Sequence, residues 1–205
     1  MFRSGQAFVF GAALHLASTC WAQAPAPTIN VGDSWSFDLL GQLDARTSYT
    51  ETVESVNPDH IVVLTATGRR RTLSPTTNPL DATRSEIALV QFPMEVGQTW
   101  KAKHDWKIGS SYGTNSMTYE VEAKEVITVP AGKFETYRIT SLGFVNDKTA
   151  RGSFGGQAKV VETYYYAPSV KRIIKFDSKA LKWVSPNFVE TYSHRYELTG
   201  YGLKE

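Results

Sequence analysis

From residue 31 onward, apolar and polar residues alternate along the chain with a period of two, and not with the period of an α-helix. The clearest window runs from Trp100 to Ile108. Its even-numbered positions are apolar apart from His104, whereas its odd-numbered positions carry three lysines and one aspartate. Because successive side chains of a strand point to opposite faces, this window predicts a half-buried β-strand.

Nine further windows are rich in Val, Ile, Thr, Tyr and Phe, and they also predict strands. They are Ser34 to Leu40, Thr47 to Val56, His60 to Thr67, Ser85 to Phe92, Met117 to Val129, Phe134 to Phe144, Val160 to Tyr166, Val170 to Phe176 and Phe188 to Leu198. Turn-forming residues separate them, most clearly at 57–59, 130–133 and 167–169. Helix signals are scarce, so we predict an all-β protein of about ten strands, with antiparallel neighbours joined by hairpins and short loops.

Three segments between the windows predict exposed connections. Residues 109–116 and 152–157 are rich in Gly and Ser and predict loops, whereas residues 74–82 contain two prolines and predict a stiffer crossover. A run of three arginines, residues 69–71, follows a strand. Such a run could contact anionic lipid head groups or an acidic partner, but charges at a strand end more often protect a sheet edge from pairing.

One short motif occurs twice. Residues 31–35 read Val-Gly-Asp-Ser-Trp and residues 96–100 read Val-Gly-Gln-Thr-Trp, and a strand rich in Tyr, Glu and Val follows each copy. One interpretation is an internal repeat of residues 31–95 and 96–160, in which Val-Gly makes a tight turn and the Trp closes one end of the sheet. The other is that a generic strand start arose twice by chance.

The first 22 residues predict a secretory signal peptide. Arg3 precedes an apolar run, residues 7–17, that is too short to cross a membrane, and small residues follow it. We therefore expect cleavage after Ala22, an extended leader over residues 23–30, and a mature chain that is periplasmic or secreted.

Cys20 offers a second interpretation of the same segment, as the lipidated cysteine of a bacterial lipoprotein. A lipoprotein box usually has a large aliphatic residue three places before the cysteine and Gly or Ala directly before it, whereas this chain has Ala17 and Thr19 there. We therefore expect Cys20 not to carry a lipid. Because it is the only cysteine, the mature chain could form no disulfide.

The charge balance and the lack of long apolar stretches exclude two classes of protein. The chain has 22 Lys and Arg against 20 Asp and Glu, a net charge of +2 that is too even for a protein that binds nucleic acid by neutralising phosphates. No stretch of about 18 apolar residues follows the N-terminal segment, so we predict no transmembrane helix in the mature chain. Residues 31–205 are predicted to fold as one β domain.

Four motifs carry a resemblance to a known group of proteins. They are Val31 to Trp35, Phe92 to Trp100, Val129 to Ile139 and Tyr165 to Val170. Together they resemble exported bacterial proteins of uncharacterised function, whose signature is a Val-x-Ala-Gly-x-Phe hairpin followed by an aromatic-Tyr-x-Pro strand end. The resemblance covers most of residues 31–177. It implies a strongly curved antiparallel sheet, a half-barrel or open barrel similar to that of the periplasmic lipoprotein carriers LolA and LolB. The chain departs from the pattern at Lys171 and Arg172, where Gly is expected.

Motifs that would indicate an enzyme are absent from the sequence. It contains no Gly-x-Ser-x-Gly elbow, no phosphate-binding glycine loop and no dinucleotide fingerprint. His60, His104 and His194 do not stand at metal-ligand spacing, so we predict no metal site.

We expect no enzymatic activity and no cofactor. The catalytic alternative is a hydrolase or isomerase that uses His104 or His194 with a nearby carboxylate. The strand carboxylates are interpreted as parts of solvated faces; they are Glu51, Glu54, Asp105, Glu120 and Glu122.

Two hypotheses of function remain. The first is a carrier-like binding protein that holds an apolar ligand, such as a lipid or acyl chain, on the concave face of the sheet. Its predicted ligand-binding residues are Trp100, Trp106, Tyr192 and Tyr196, with His104 and His194 as polar anchors or, alternatively, as satisfied core side chains. The second is an interaction protein that docks onto an envelope protein partner through its strand edges and binds no small ligand.

Overall fold

Ten strands form a single antiparallel sheet in the part of the chain that the structure describes. The computed structural model describes residues 23–40, 46–80, 85–108, 111–148, 157–184 and 187–205. The strands are β1 (Ser34–Leu40), β2 (Arg46–Val56), β3 (Ile61–Thr65), β4 (Arg70–Leu73), β5 (Thr99–Ile108), β6 (Ser111–Val129), β7 (Gly132–Asp147), β8 (Gln157–Ala167), β9 (Arg172–Val184) and β10 (Asn187–Gly202). Their order across the sheet is β4-β3-β2-β1-β10-β9-β8-β7-β6-β5. The described residues include no helix, as the sequence predicted.

The sheet is strongly curved and open. Ala131 lies in the turn between β6 and β7, yet its N–H donates to the carbonyl of Leu198 in β10 at 3.1 Å. Strands β8 and β9 separate β7 from β10, and in a flat sheet the two strands would lie about 14 Å apart. Strands β4 and β5 form the two edges and do not pair with each other among the described residues. The prediction of a curved, open antiparallel sheet is therefore confirmed.

The inner face of this curved sheet holds the core. In β8, the even-numbered side chains from Ala158 to Tyr166 are buried apart from the half-buried Glu162, whereas the neighbouring Val161 is 37% exposed. Strand β5 follows the same rule with Trp100 buried and its lysines exposed, as its alternating sequence predicted. Burying one large apolar side chain stabilises the fold by about 1.5–3 kcal/mol, so the inner face holds the sheet in its curved form.

Both copies of the repeated motif adopt the same turn. Gly32 and Gly97 have positive φ values of 89° and 90°, a conformation that favours glycine. Gly32 donates to the carbonyl of Val53 in β2 at 2.9 Å, and Gly97 donates to that of Val121 in β6 at 2.8 Å. Each turn thus fixes its strand against the next strand of the chain.

The tryptophans that follow these turns also occupy matching positions. Trp35 of β1 lies opposite Glu51 of β2, and Trp100 of β5 lies opposite Tyr119 of β6. The two units are therefore alike in backbone and differ in the side chain that faces the tryptophan.

Residues 85–92 do not form the strand that the sequence predicted. With residues 74–80 they make an irregular crossover, here called the covering segment, whose apolar side chains pack against the core. Ile87 donates to the backbone carbonyl of Pro79, and side chains satisfy several other backbone groups in place of a neighbouring strand. Asn78 accepts from the N–H of Val90 and donates to its carbonyl, both at 2.9 Å, and the Trp100 indole N–H donates to the carbonyl of Ala88 at 2.8 Å.

Several predicted strand and loop limits were also wrong. Strand β4 was not predicted, because its four residues are too few to show a period. Residues 111–116, predicted as a loop, belong to β6, where they pair with β5 from Ser111 opposite Ile108 onward. Strand β9 extends beyond Phe176 to Val184. Lys171, where the sequence resemblance led us to expect Gly, adopts a positive φ of 62°.

The N-terminal predictions fall mostly outside the described residues. The predicted signal peptide and Cys20 lie there, as do residues 152–156 of one predicted loop. Within the predicted leader, Ala24 pairs with Met94 through two backbone hydrogen bonds of 2.8 and 2.9 Å and is buried. This leader therefore packs on the domain.

Candidate functional site

A row of aromatic rings crosses the inner face from the β5 edge to β2. The rings in order are Trp100, Tyr119, Tyr164, Phe176, Tyr196, Phe37 and Tyr49. The centroids of successive rings lie between 4.8 and 6.3 Å apart. Aromatic pairs at such separations stabilise a fold by about 0.5–1.5 kcal/mol beyond the burial of their area, so the row stabilises the inner face of the sheet.

Part of this row lines a cavity of about 180 Å³ beneath the covering segment. Its purely apolar lining consists of Phe37, Leu73, Pro79, Leu89, Ile173 and Phe176. Liquid water occupies roughly 30 Å³ per molecule, so the cavity has room for about six waters. It is smaller than the pockets of about 300–1,000 Å³ that hold drug-sized ligands, so it fits a small molecule or one end of a longer one.

Two arginines and a buried glutamate form the polar part of the cavity wall and its support. The Glu51 side chain is only 1% exposed and accepts from Arg71 and, at 2.6 Å, from Arg172. Arg172 also donates to the carbonyl of Thr77 at 2.9 Å, and its guanidinium lies 5.2 Å from the ring centre of Trp35. Arg172 is thus locked between the sheet and the covering segment, whereas the Arg71 side chain is 40% exposed.

Two tyrosines also line the cavity. Tyr49 and Tyr196 line the cavity on either side of Phe37, and both rings pack against Phe37. Burial raises the pKa of both, and the nearby Glu51 carboxylate raises it further. Both hydroxyls therefore stay protonated at physiological pH and can act as hydrogen-bond donors.

The three predicted site residues on β5 do not line this cavity. Trp100 stacks on Tyr119 with ring centres 5.2 Å apart and planes 5° apart, and is part of the core. His104 accepts from the Asn115 amide at 3.2 Å. Trp106 lies over Gly113, where a Cβ atom would come within 2.7 Å of the indole. These side chains serve to pack the β5–β6 hairpin.

The predicted residues on β10 lie nearer to the cavity. Tyr196 lines it, and His194 packs edge-on against Phe176 with ring centres 5.7 Å apart. Burial lowers the pKa of His194, which keeps its imidazole neutral at pH 7. Tyr192 lies in β10 opposite Ala180, and its side chain is outside the described part of the structure. Of the six predicted residues, the structure thus places Tyr196 at the cavity.

Sequence reasoning missed the charged residues of the cavity. Glu51 was interpreted as part of a solvated face, but it is fully buried because two guanidinium groups neutralise it there. One signal was available: Glu51 has the same strand parity as Tyr49 and Val53, which places it on the inner face. No sequence signal linked it to Arg172, which lies 121 residues further along the chain.

A second carboxylate lies on the inner face of β8. Glu162 accepts from the Tyr164 hydroxyl at 2.6 Å and from the Ser141 hydroxyl at 2.9 Å, and no described cation pairs with it. Burial raises the pKa of Glu162 above its ordinary value of 4.5, although these hydroxyls oppose the shift. The folded protein therefore holds this proton more tightly than the unfolded chain does.

Replacing Glu162 by Gln is expected to remove a pH-dependent loss of stability. Since the folded pKa is raised, the wild type should lose stability as pH rises from about 4.5 through the raised pKa, and the neutral amide should not. Urea denaturation of both proteins at several pH values measures the difference, which should grow in favour of the variant as pH rises. Glu120→Gln, at an exposed position of β6, is the control; the same trend in both variants would contradict the assignment.

The described residues contain neither a candidate metal site nor a candidate membrane-spanning helix. No group of three or more His, Cys, Asp or Glu side chains in the described residues could hold a metal ion. Within those same residues, no helix is long and apolar enough to cross a membrane.

Comparisons with known proteins bear on the fold. No protein-family model and no curated protein matches the chain. A proposed lipoprotein from Parabacteroides distasonis is 12% identical, with a TM-score of 0.50 over 89% of this chain and 100% of that one. The hypothetical lipoprotein YmcC from Escherichia coli is 9% identical, with a TM-score of 0.49 over 84% of each chain. A proposed exported protein with a YmcC-like fold from Bacteroides fragilis is 11% identical, with a TM-score of 0.45 over 88% of this chain and 100% of that one.

These identities are too low to carry a function from one protein to another. The resemblance to LolA and LolB that the sequence motifs suggested stays a prediction. The chain shares the fold of the Parabacteroides distasonis protein, and its function has to be argued from its own side chains.

Proposed function

We propose that this chain is an exported, non-enzymatic binding protein that holds a small, largely apolar molecule in the cavity beneath the covering segment. One observation carries the proposal: a cavity of about 180 Å³ lies between aromatic side chains of the sheet and the covering segment. Ligand sites are typically concave and apolar, with a few polar groups that fix orientation. Toward β5 the aromatic row is buried in the core, so the ligand is confined to the cavity itself.

Export is part of the proposal and rests on the N-terminal sequence. The charged residue, short apolar run and small residues before Ala22 are typical of a signal peptide. The three similar structures are described as lipoproteins or as an exported protein. Native mass spectrometry of the protein from the cell envelope would give the mature N-terminus, a lipid on Cys20 if present, and the mass of any bound molecule.

Filling the cavity is expected to weaken binding of a neutral apolar probe. Leu89 lines the cavity from the covering segment, so Leu89→Trp would place a larger side chain there. We expect wild-type protein to bind 1-octanol in a calorimetric titration and the variant to bind it at least about tenfold more weakly, a loss of roughly 1.4 kcal/mol.

Two variants control this experiment. Val126→Trp adds the same side chain at an exposed position of β6, away from the cavity, and should leave binding unchanged. Trp106→Ala tests the β5 residues that the sequence predicted. Loss of octanol binding in Trp106→Ala with full binding in Leu89→Trp would move the site to β5 and overturn the proposal.

The alternative of docking through strand edges has less support. The β5 edge carries three exposed lysines, Lys101, Lys103 and Lys107, and lysines on an edge strand oppose pairing with another strand. At the other edge, β4 is only four residues long. Both edges thus have features that natural sheets use to prevent strand addition.

A further inference from the structure

We propose that the molecule bound in the cavity carries a carboxylate, which Arg71 binds together with the hydroxyls of Tyr49 and Tyr196. This inference rests on the proposed function and names the chemistry of its ligand. The class it predicts is a small acidic amphiphile, such as a fatty acid, with its apolar part against Phe176 and Leu89.

The charge balance of the cavity wall favours an anion. Arg71 and Arg172 both donate to Glu51, so these three groups hold two positive charges and one negative charge. The positive charge left over lies beside an apolar cavity, where electrostatic interactions are stronger than in water. A bound carboxylate would neutralise it, whereas a cationic ligand would be repelled.

Donors for such a carboxylate are available on the wall. A guanidinium has five N–H donors in a planar fork that matches a carboxylate, and Arg71 donates to Glu51 alone among the described residues. Tyr49 and Tyr196 line the same cavity, and their protonated hydroxyls can each add a hydrogen bond to such a ligand. Arg172 serves a positioning role, since its contacts to Glu51 and to Thr77 hold Glu51 and the covering segment in place.

The neighbouring residue on the same strand, Arg70, is an arginine with a structural role only. Arg70 of β4 donates to Glu54 of β2 at 2.6 and 2.7 Å on the outer face, and its side chain is 67% exposed. Arg71 makes the equivalent contact to Glu51 on the inner face and also lines the cavity. The two arginines therefore form a matched pair that differs in access to the cavity.

The test compares three probes of equal chain length, octanoate, 1-octanol and octylamine, by calorimetric titration at neutral pH. We expect wild-type protein to bind octanoate most tightly and octylamine most weakly. Arg71→Gln should weaken octanoate binding by about 10- to 100-fold, the range of a lost charge-assisted hydrogen bond, and weaken octanol binding by no more than about threefold. Arg70→Gln should change neither affinity.

Three other results would contradict the carboxylate of the ligand, the role of Arg71 or the proposed function itself. Equal affinity for octanoate and octanol in the wild type would overturn the carboxylate and leave the apolar cavity as the site. Equal loss in Arg71→Gln and Arg70→Gln would show a general charge effect and overturn the role of Arg71. Binding of none of the probes would overturn the proposed function as well. Thermal unfolding of each variant checks the fold, which should persist because Glu51 keeps Arg172 as its partner.

Discussion

Replacing Glu51 by Gln is expected to lower the free energy of unfolding by about 3–5 kcal/mol, the usual cost of removing one partner from a buried ion pair. The carboxylate is the counter-charge of Arg172, whose side chain is only 12% exposed. An amide of the same shape would leave this guanidinium buried without neutralisation. Urea denaturation at neutral pH measures the loss, and the slope of the transition should be unchanged.

The matched control for this variant is Glu54→Gln. Glu54 lies on the same strand and pairs with Arg70 on the outer face, where water screens both groups. Exposed pairs contribute little to stability, so this variant should unfold close to the wild type. Equal losses in both variants would show that burial of the Glu51 cluster has no special energetic role.

Replacing Gly143 by Ala is expected to cost about 1–3 kcal/mol or more, as overpacking of a well-packed interior generally does. Gly143 of β7 lies opposite Met117 of β6. An added Cβ would collide with the backbone carbonyl of Ser116 and come within 2.6 Å of the Met117 sulfur. Because one of these atoms belongs to the backbone, β6 and β7 would have to separate locally. The midpoint of urea denaturation measures the cost.

Gly200→Ala is the control for this substitution. Gly200 also lies in a strand, but an added Cβ would meet only the Ser36 Cβ at 4.0 Å, an ordinary contact. Loss of backbone freedom in the unfolded chain should make this variant neutral or slightly more stable, by up to about 1 kcal/mol. If Gly143→Ala proved equally harmless, the close approach of β6 and β7 would be wrong.

The fold could be predicted from the sequence where a strand has one buried and one solvated face. Strand β5 is the clear case, because charged residues alternate with inward residues that are apolar apart from His104. The prediction failed where apolar residues pack without pairing. Residues 85–92 have strand-like composition, but the partners of their backbone groups include the Asn78 side chain and the Trp100 indole, which a local pattern does not reveal.

The candidate site was harder to predict for a related reason. Tyr196 could be found, because aromatic residues on one strand face indicate an apolar surface. Arg71, Glu51 and Arg172 come from β4, β2 and β9, and no two of these strands are neighbours in the sheet. The arginine run at residues 69–71 was interpreted as edge protection, an interpretation that suits Arg70, on the outer face, better than Arg71.

The two turn-and-strand units bear on how this protein could change its specificity. At equivalent positions, one unit places a carboxylate opposite its tryptophan and the other places a phenol ring. The same backbone therefore accepts either a charged cluster or a stacked ring at that point. In such an architecture, the backbone of the sheet does not depend on which side chains contact the ligand. A protein engineer could therefore alter the ligand by exchanging a whole set of inward side chains while retaining the sheet.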